Sequence, residues 1–231
     1  NSFATELMTG NGSSQTINTG FKPDFIWQKF RNFTYSNQLM DSVRSNFTEL
    51  LQSDTTASQN TNTGVIASTS NTGFTTGASG IVTSNGQPMV FWNWKAGGTA
   101  SINTDGTITS VVSANQAAGF SVVSYAGNST SGATVGHGIT SPDLVMIKCT
   151  STGSTNWIVY AAPLGDNNYL TLNLDNAQDT YSNWFSSNAT TFTLGQTFGN
   201  ANTSGRDYIA YCFKSISGYS KVGTYTGTGV A

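Results

Sequence analysis

Charge is the first thing this sequence lacks. Asp, Glu, Lys and Arg together make 9% of its 231 residues, against roughly 25% in an average soluble domain. Apolar residues do not take up the difference, at 37%. Asn, Thr, Ser and Gly do, with 25 Gly. Nine basic residues against eleven acidic ones leave a net charge of −2, which argues against the basic face of a phosphate-tracking nucleic-acid binder. No apolar run approaches the roughly 20 residues of a membrane-spanning helix. Disorder is disfavoured too, because aromatics make 12% and five Trp are spread along the chain, a large apolar payload. What remains is an ordered, polar-surfaced, β-rich protein, long enough for one large domain or two ordinary ones.

Catalytic side chains are scarce as well. The glutamates are Glu6 and Glu49, the one histidine is His137, and the cysteines are Cys149 and Cys212. A glycosidase needs paired carboxylates about one bond. A Ser-His-Asp triad would have to use His137, and a His/Cys zinc site would have to join His137 to distant partners. The expectation is a protein that is no enzyme, with no cofactor and no metal. The chain opens on Asn1 without a signal peptide and closes on Gly-Thr-Gly-Val-Ala, inside what reads as a motif, so it reads as a piece of a longer polypeptide.

What is present is an internal repeat. GFKPDFIWQK (20–29) matches GITSPDLVMIK (138–148), and GQPMVFWNWKAG (86–97) matches GRDYIAYCFKSI (205–216). Asp24 to Asp143 and Lys95 to Lys214 are both steps of 119 residues. FATELMTGNGS (3–13) matches FSVVSYAGNST (120–130), and a third opening, YSKVGTYTGTG, starts at Tyr219. A period this long indicates a duplicated domain rather than a solenoid rung.

Within each copy the pattern is β. Phe120–Tyr125 is β-branched and aromatic and ends at a Gly-Asn turn pair. Asp24–Lys29 and Asp143–Lys148 follow a proline, which costs no ladder bond at a strand's start. Met89–Lys95 alternates, with Val90, Trp92 and Trp94 on one side, and Ile209, Tyr211 and Phe213 repeat it. Phe33–Tyr35, Gln38–Val43, Trp157–Tyr160 and Tyr169–Leu174 add strands, while residues 41–52 could hold a helical turn. About seven to nine strands per copy describe an antiparallel sandwich. The expected fold is all-β: two tandem, jelly-roll, lectin-like sandwiches at 1–96 and 119–217. A hairpin linker centred on Thr104-Asp105-Gly106-Thr107 fills 97–118. Residues 218–231 either start a third copy or close the second sheet, and the closing strand is preferred.

The repeated lines, with NTDGTITSVVSANQAAGFSVVSYAGNSTSGATVGHG, NWIVYAAPLG and YIAYCF, resemble a domain of tailed-phage virion proteins, especially marine ones. There such units stand in tandem in tail-fibre-like or other structural proteins. The resemblance implies a concanavalin-A-like sandwich, no enzymatic activity, assembly in the host cytoplasm into a virion, and other virion proteins as partners. A homo-oligomer and contact with host surface glycan are further expectations; nucleic acid and membrane are not. The runner-up is a carbohydrate-binding lectin module of a larger extracellular protein. No site residue follows from the resemblance.

Six charges recur: Asp24, Lys29 and Lys95 in the first copy, Asp143, Lys148 and Lys214 in the second. They are either an acid–base binding pair or structural groups, and the structural reading is preferred. Asp after Pro caps turns, and a Lys stem covers apolar surface. His137, between glycines, reads as a turn residue. Cys149 and Cys212 read as free thiols, since nothing in the strand alternation forces them together. Six Asn-X-Ser/Thr triplets, headed by Asn11, Asn32, Asn46, Asn128, Asn188 and Asn202, read as chance products of composition. Among the aromatics that could stack on a sugar (Trp27, Tyr35, Trp157, Tyr181, Trp184), Trp184 is singled out as a contact residue with Tyr181 beside it, because their segment is the least regular.

Overall fold

Apolar residues here fall in adjacent pairs as often as in alternation: Phe25-Ile26, Leu39-Met40, Leu50-Leu51, Val122-Val123, Val145-Met146-Ile147. Strands apolar on both sides are strands buried on both faces. The computed structural model, which describes residues 1–195 and 200–229, has that architecture.

The first copy contributes β1 (Phe3–Thr9), β2 (Thr16–Asn18), β3 (Phe25–Phe30), β4 (Gln38–Asp41), β5 (Glu49–Gln52), β6 (Asn60–Thr61), β7 (Ile66–Ser70), β8 (Gly73–Thr76), the short helix α1 (Gly80–Thr83) and β9 (Pro88–Trp94). Next come β10 (Ser101–Asn103) and β11 (Ser110–Asn115). The second copy contributes β12 (Phe120–Ala126), β13 (Ala133–Gly136), β14 (Leu144–Cys149), β15 (Ile158–Ala161), β16 (Asn168–Thr171), β17 (Asp179–Thr180), β18 (Phe185–Ser187), β19 (Thr191–Leu194) and β20 (Asp207–Phe213). The protein is an all-β sandwich fold with antiparallel sheets.

The two copies share one topology. The large sheet of the first runs β1-β9-β3-β4-β5-β6, and that of the second runs β12-β20-β14-β15-β16-β17 with β10-β11 added beyond β12. Each copy also has a three-stranded sheet, β2-β8-β7 or β13-β19-β18. Registers repeat as well: Phe3 lies opposite Trp94 as Phe120 lies opposite Phe213, and Phe25 opposite Trp94 as Leu144 opposite Phe213. Each opening strand ends at a glycine with no room for a side chain. A Cβ on Gly10 would sit 2.2 Å from the Ser84 carbonyl oxygen, and one on Gly127 2.4 Å from that of Thr203.

Alternate residues of each large sheet enter different cores. Ile26, Phe30, Met40, Leu50, Met89 and Phe91 pack with Ile17, Ile66 and Phe74 of the small sheet. Val123, Tyr125, Val145, Ile147, Tyr208 and Ala210 pack with Val135, Phe185 and Phe192. The opposite faces meet each other, Phe25, Leu39, Leu51 and Trp94 against Phe120, Met146, Trp157, Val159 and Tyr211. The result is four layers, of three, six, eight and three strands, with aromatic stacking through the centre. The Phe25 and Tyr211 rings lie 4.2 Å apart.

Several expectations are corrected. Residues 97–118 do form a hairpin, but it is no linker: β10 and β11 extend the second sheet, with Ser110 opposite Tyr125 through Asn115 opposite Phe120. The C-terminal segment closes nothing. After one bridge between Ile216 and Ser220, residues 221–229 belong to no strand and Tyr225 is 94% exposed. The physical reason is occupancy, since the slot of an opening strand in the second sheet is held by β12, paired on both edges. Residues 230–231 of that segment, like 196–199 of the second copy, lie outside the described residues. Phe33–Tyr35 is a loop, not a strand. The helical turn expected within 41–52 is the tight turn Ser45–Phe47, left-handed with φ of 44°, 50° and 70°. That conformation costs about 1–2 kcal/mol per residue and is held by burial of Phe47.

Candidate functional site

The recurring aspartates do one structural job twice. Asp24 N–H donates to the Trp94 carbonyl and Asp143 N–H to that of Phe213, each at 2.8 Å. Their carboxylates then accept from the chain just beyond, Asp24 from Ala96 N (2.8 Å) and Gly98 N (3.3 Å), Asp143 from Ser215 N (2.7 Å). They are caps on the ends of β9 and β20. Burial pushes the Asp24 carboxyl above its ordinary value, with the hydrogen bonds from Ser42, Ala96 and Gly98 and the charge of Lys22 pulling it partly back.

The recurring lysines at the far ends of β3 and β14 tie down loops. Lys29 Nζ donates to the Phe30 and Phe33 carbonyls. Lys148, fully buried, donates to Thr155 O (2.7 Å), Thr155 Oγ1 (2.9 Å) and, across the two copies, Thr56 O (3.2 Å). Lys95 is exposed and Lys214 half-buried. No recurring aspartate forms an ion pair with a recurring lysine among the described residues; the ion pair there is Arg44–Asp41.

Lys148 gives a testable pH dependence. Burial lowers its pKa from 10.5 to about 8. Between those values the unfolded chain holds a proton that the folded chain has released, so stability from this group rises as pH rises from about 8 towards 10.5. Raised tyrosine and Cys212 values oppose it at the alkaline end, so the difference from Lys148→Met isolates the group. Urea midpoints measured from pH 7 to 10 are expected to rise more steeply in the parent than in Lys148→Met. Parallel curves would show that Lys148 titrates normally.

Sequence reasoning passed over the most concentrated charge in the protein. Asp41 and Arg44 are both buried. Asp41 Oδ1 accepts from the backbone N–H groups of Val43 and Arg44, and its Oδ2 accepts from Arg44 Nε at 2.8 Å, with Arg44 Nη2 in ion-pair contact at 2.7 Å. The Tyr211 hydroxyl of the second copy donates to Asp41 Oδ2 at 2.8 Å and accepts from Arg44 Nη2 at 3.1 Å. Burial alone would lower the Arg44 pKa, but Asp41 and Tyr211 hold it above its ordinary value. The signal was the three-residue spacing of opposite charges beside an apolar pair in a charge-poor chain. The positions matching Asp41 and Arg44 in the repeat are Ala161 and Leu164, so comparing copies hid it.

Trp184 is not a contact residue. Its side chain is 0% exposed, packed on Phe185 and Tyr169, with Nε1–H donating to the Asn168 carbonyl. The segment's irregular sequence reflects a tight turn before β18, with Asn183 at φ 55°. Tyr181 beside it is exposed. Trp157 is buried at the contact of the copies, donating to the Gln52 carbonyl, and half-buried Trp27 donates to Asn37 Oδ1. Exposed Phe33 and Tyr35 stack at 5.4 Å in the loop after β3. His137 is buried; its Nδ1 accepts from Ile139 N–H, which leaves Nε2–H to face the Asn188 carbonyl, and burial lowers its pKa. Cys149 and Cys212 are buried free thiols on one core, with burial pushing Cys212 up to about 12.

Two further surface features are a cleft and a strand edge. A cleft of about 350 Å³ opens where the large sheets separate, lined by Phe3, Trp94, Phe120, Leu144, Phe213 and residues 219–222. The other is the outer edge of β1, which ends its sheet. Among the described residues no cluster of three His, Cys, Asp or Glu could hold a metal ion, and no helix is long and apolar enough to cross a membrane.

A family described as a domain of unknown function (DUF7483) matches residues 1–231. The chain belongs to the DUF7483 family. The match covers both copies, so this DUF7483 domain includes the four-layer stack as a whole. No curated protein and no solved structure matches it.

Proposed function

We propose that this chain is a non-enzymatic structural module of a tailed-phage virion, within a tail-fibre-like or capsid-decorating protein that touches the host surface. The resemblance of the repeated lines to such proteins supports the place. The observation that carries the role is the joining of two copies through a buried aromatic core, crossed by Lys148, Trp157 and the Asp41–Arg44–Tyr211 cluster. A block whose central strands are buried on both faces suits a load-bearing unit, and a low-charge exterior is little affected by salt. Antibodies against the purified domain are expected to label particles of the phage that encodes it, seen by negative-stain microscopy. Unlabelled particles from lysates that contain the protein count against the reading.

The alternative, a carbohydrate-binding module, draws on the exposed Phe33–Tyr35 stack. Aromatic faces of this kind suit sugar rings. A glycan array on the parent and on Tyr35→Ala separates the two: binding lost in the variant favours the lectin reading, and no binding by the parent favours the purely structural one.

A further inference from the structure

The duplication supplies its own control for one region of the first copy. Gln28 on β3 lies opposite Gln38 on β4, which in turn lies opposite Gln52 on β5. Residues directly opposite in a sheet share a face, so the three amides form a row across three strands. They alternate with Ile26, Phe30, Met40 and Leu50 on the face that meets the small sheet. In the second copy the same three places are held by Ile147, Ile158 and Thr171, again opposite one another in turn. Ile147 and Ile158 are buried in the core there. The fold therefore accepts apolar residues at these positions, and the amides of the first copy need another explanation.

The row is costly to bury. Gln28 is 0% exposed, and neither its Oε1 nor its Nε2 has a hydrogen-bond partner among the described residues. An unpaired buried amide is unfavourable. Gln38 Nε2 donates to the Ser36 carbonyl, and Gln52 Oε1 accepts from Thr55 Oγ1. That leaves Gln38 Oε1 to act as an acceptor and Gln52 Nε2 as a donor. Both residues line a pocket of about 460 Å³, together with Phe30, Tyr35, Ser36 and Ile81 of α1. The volume falls in the ~300–1,000 Å³ range of small-molecule sites. No charged side chain lines it. Tyr35 is 60% exposed, yet its ring is held 5.5 Å from that of Phe30 and 5.4 Å from that of Phe33. Lys29 Nζ pins the same loop through the Phe33 carbonyl.

We propose that this pocket of the first copy binds a neutral saccharide, with adjacent ring hydroxyls on the Gln38 and Gln52 amides and the apolar face of a sugar ring against Tyr35. A hydroxyl both donates and accepts, so a pair of them matches an acceptor set beside a donor. An aromatic ring already fixed by its neighbours loses little freedom when a sugar stacks on it. An uncharged lining offers no counter-ion to a sugar carboxylate or sulfate and strips away its water, which selects against acidic glycans. The proposal rests on the carbohydrate-binding reading and adds to it the polar half of the site and the charge class of the ligand.

The test is a glycan array carrying neutral hexose oligomers beside their sialylated and sulfated counterparts. It is probed with the full chain and with Gln38→Ile, Gln52→Thr and Tyr35→Ala, and each protein is also unfolded in urea. The first two variants install the residues of the second copy. The parent is expected to bind neutral members and to prefer them to their acidic counterparts. Gln38→Ile and Gln52→Thr are each expected to bind about tenfold more weakly, the loss of one hydrogen-bonded amide, with urea midpoints no lower than the parent's. Binding that is lost in Tyr35→Ala but kept in both glutamine variants overturns this site and leaves the carbohydrate-binding reading in place. A parent that binds no glycan overturns both. A preference for the acidic counterparts overturns the neutral class, and lowered midpoints in both glutamine variants would assign the row to the fold instead.

Discussion

Asp41→Ala is expected to lower the free energy of unfolding by about 3–5 kcal/mol, the usual loss when one partner of a buried ion pair is removed. The Arg44 guanidinium stays where burial has put it, without its carboxylate partner. The Tyr211 hydroxyl loses its acceptor in the same step, and the Val43 and Arg44 N–H groups lose theirs. Replacing both charges, Asp41→Leu with Arg44→Met, is expected to recover most of the loss, because desolvation of the pair is then no longer required. Tyr211→Phe keeps the pair and is expected to cost only about 1–2 kcal/mol. Urea unfolding followed by tryptophan fluorescence measures all three. A loss below about 1 kcal/mol for Asp41→Ala would mean that water reaches Arg44 and that the cluster is not sealed between the sheets.

Trp184→Ala is expected to be nearly as damaging, at about 3–5 kcal/mol, the range for deleting a large buried aromatic. The side chain fills the core between the eight-stranded sheet and its small partner sheet, against Phe185 and Tyr169. Its Nε1–H holds the Asn168 carbonyl of β16. Tyr181→Ala, three residues away and exposed, is expected to cost less than about 1 kcal/mol. The pair of measurements separates a core tryptophan from a surface one. A Trp184→Ala protein as stable as the parent, with altered ligand binding, would return the residue to the surface.

The strands at 24–29, 89–95, 120–125 and 143–148 were legible because β-branched and aromatic runs bounded by Pro, Gly and Asn have few other uses. Their partners were not. Val90, Trp92 and Trp94 were recognised as one face, but the sequence does not say whether that face meets water, the small sheet or the second copy. Adjacent apolar pairs such as Leu39-Met40 held the clue to two-sided burial. The recurring Asp24 and Asp143 were legible as turn caps because Pro-Asp at a strand start has a local use. Asp41 and Arg44 were not, because their significance comes from Tyr211, 170 residues from Asp41 along the chain.

From sequence alone came the all-β class, the duplication with its 119-residue step, the free thiols and the hairpin near Asp105. These depend on local propensity, turn chemistry and self-similarity, which neighbouring residues carry. Only the tertiary structure decided that the hairpin at 97–118 belongs to the second sheet, that the large sheets stack face to face, that Trp184 is core, and that residues 221–229 join no sheet. Each of these depends on which strand edge or face is already occupied. Occupancy follows from contacts between residues far apart in the chain, and no window of sequence contains it.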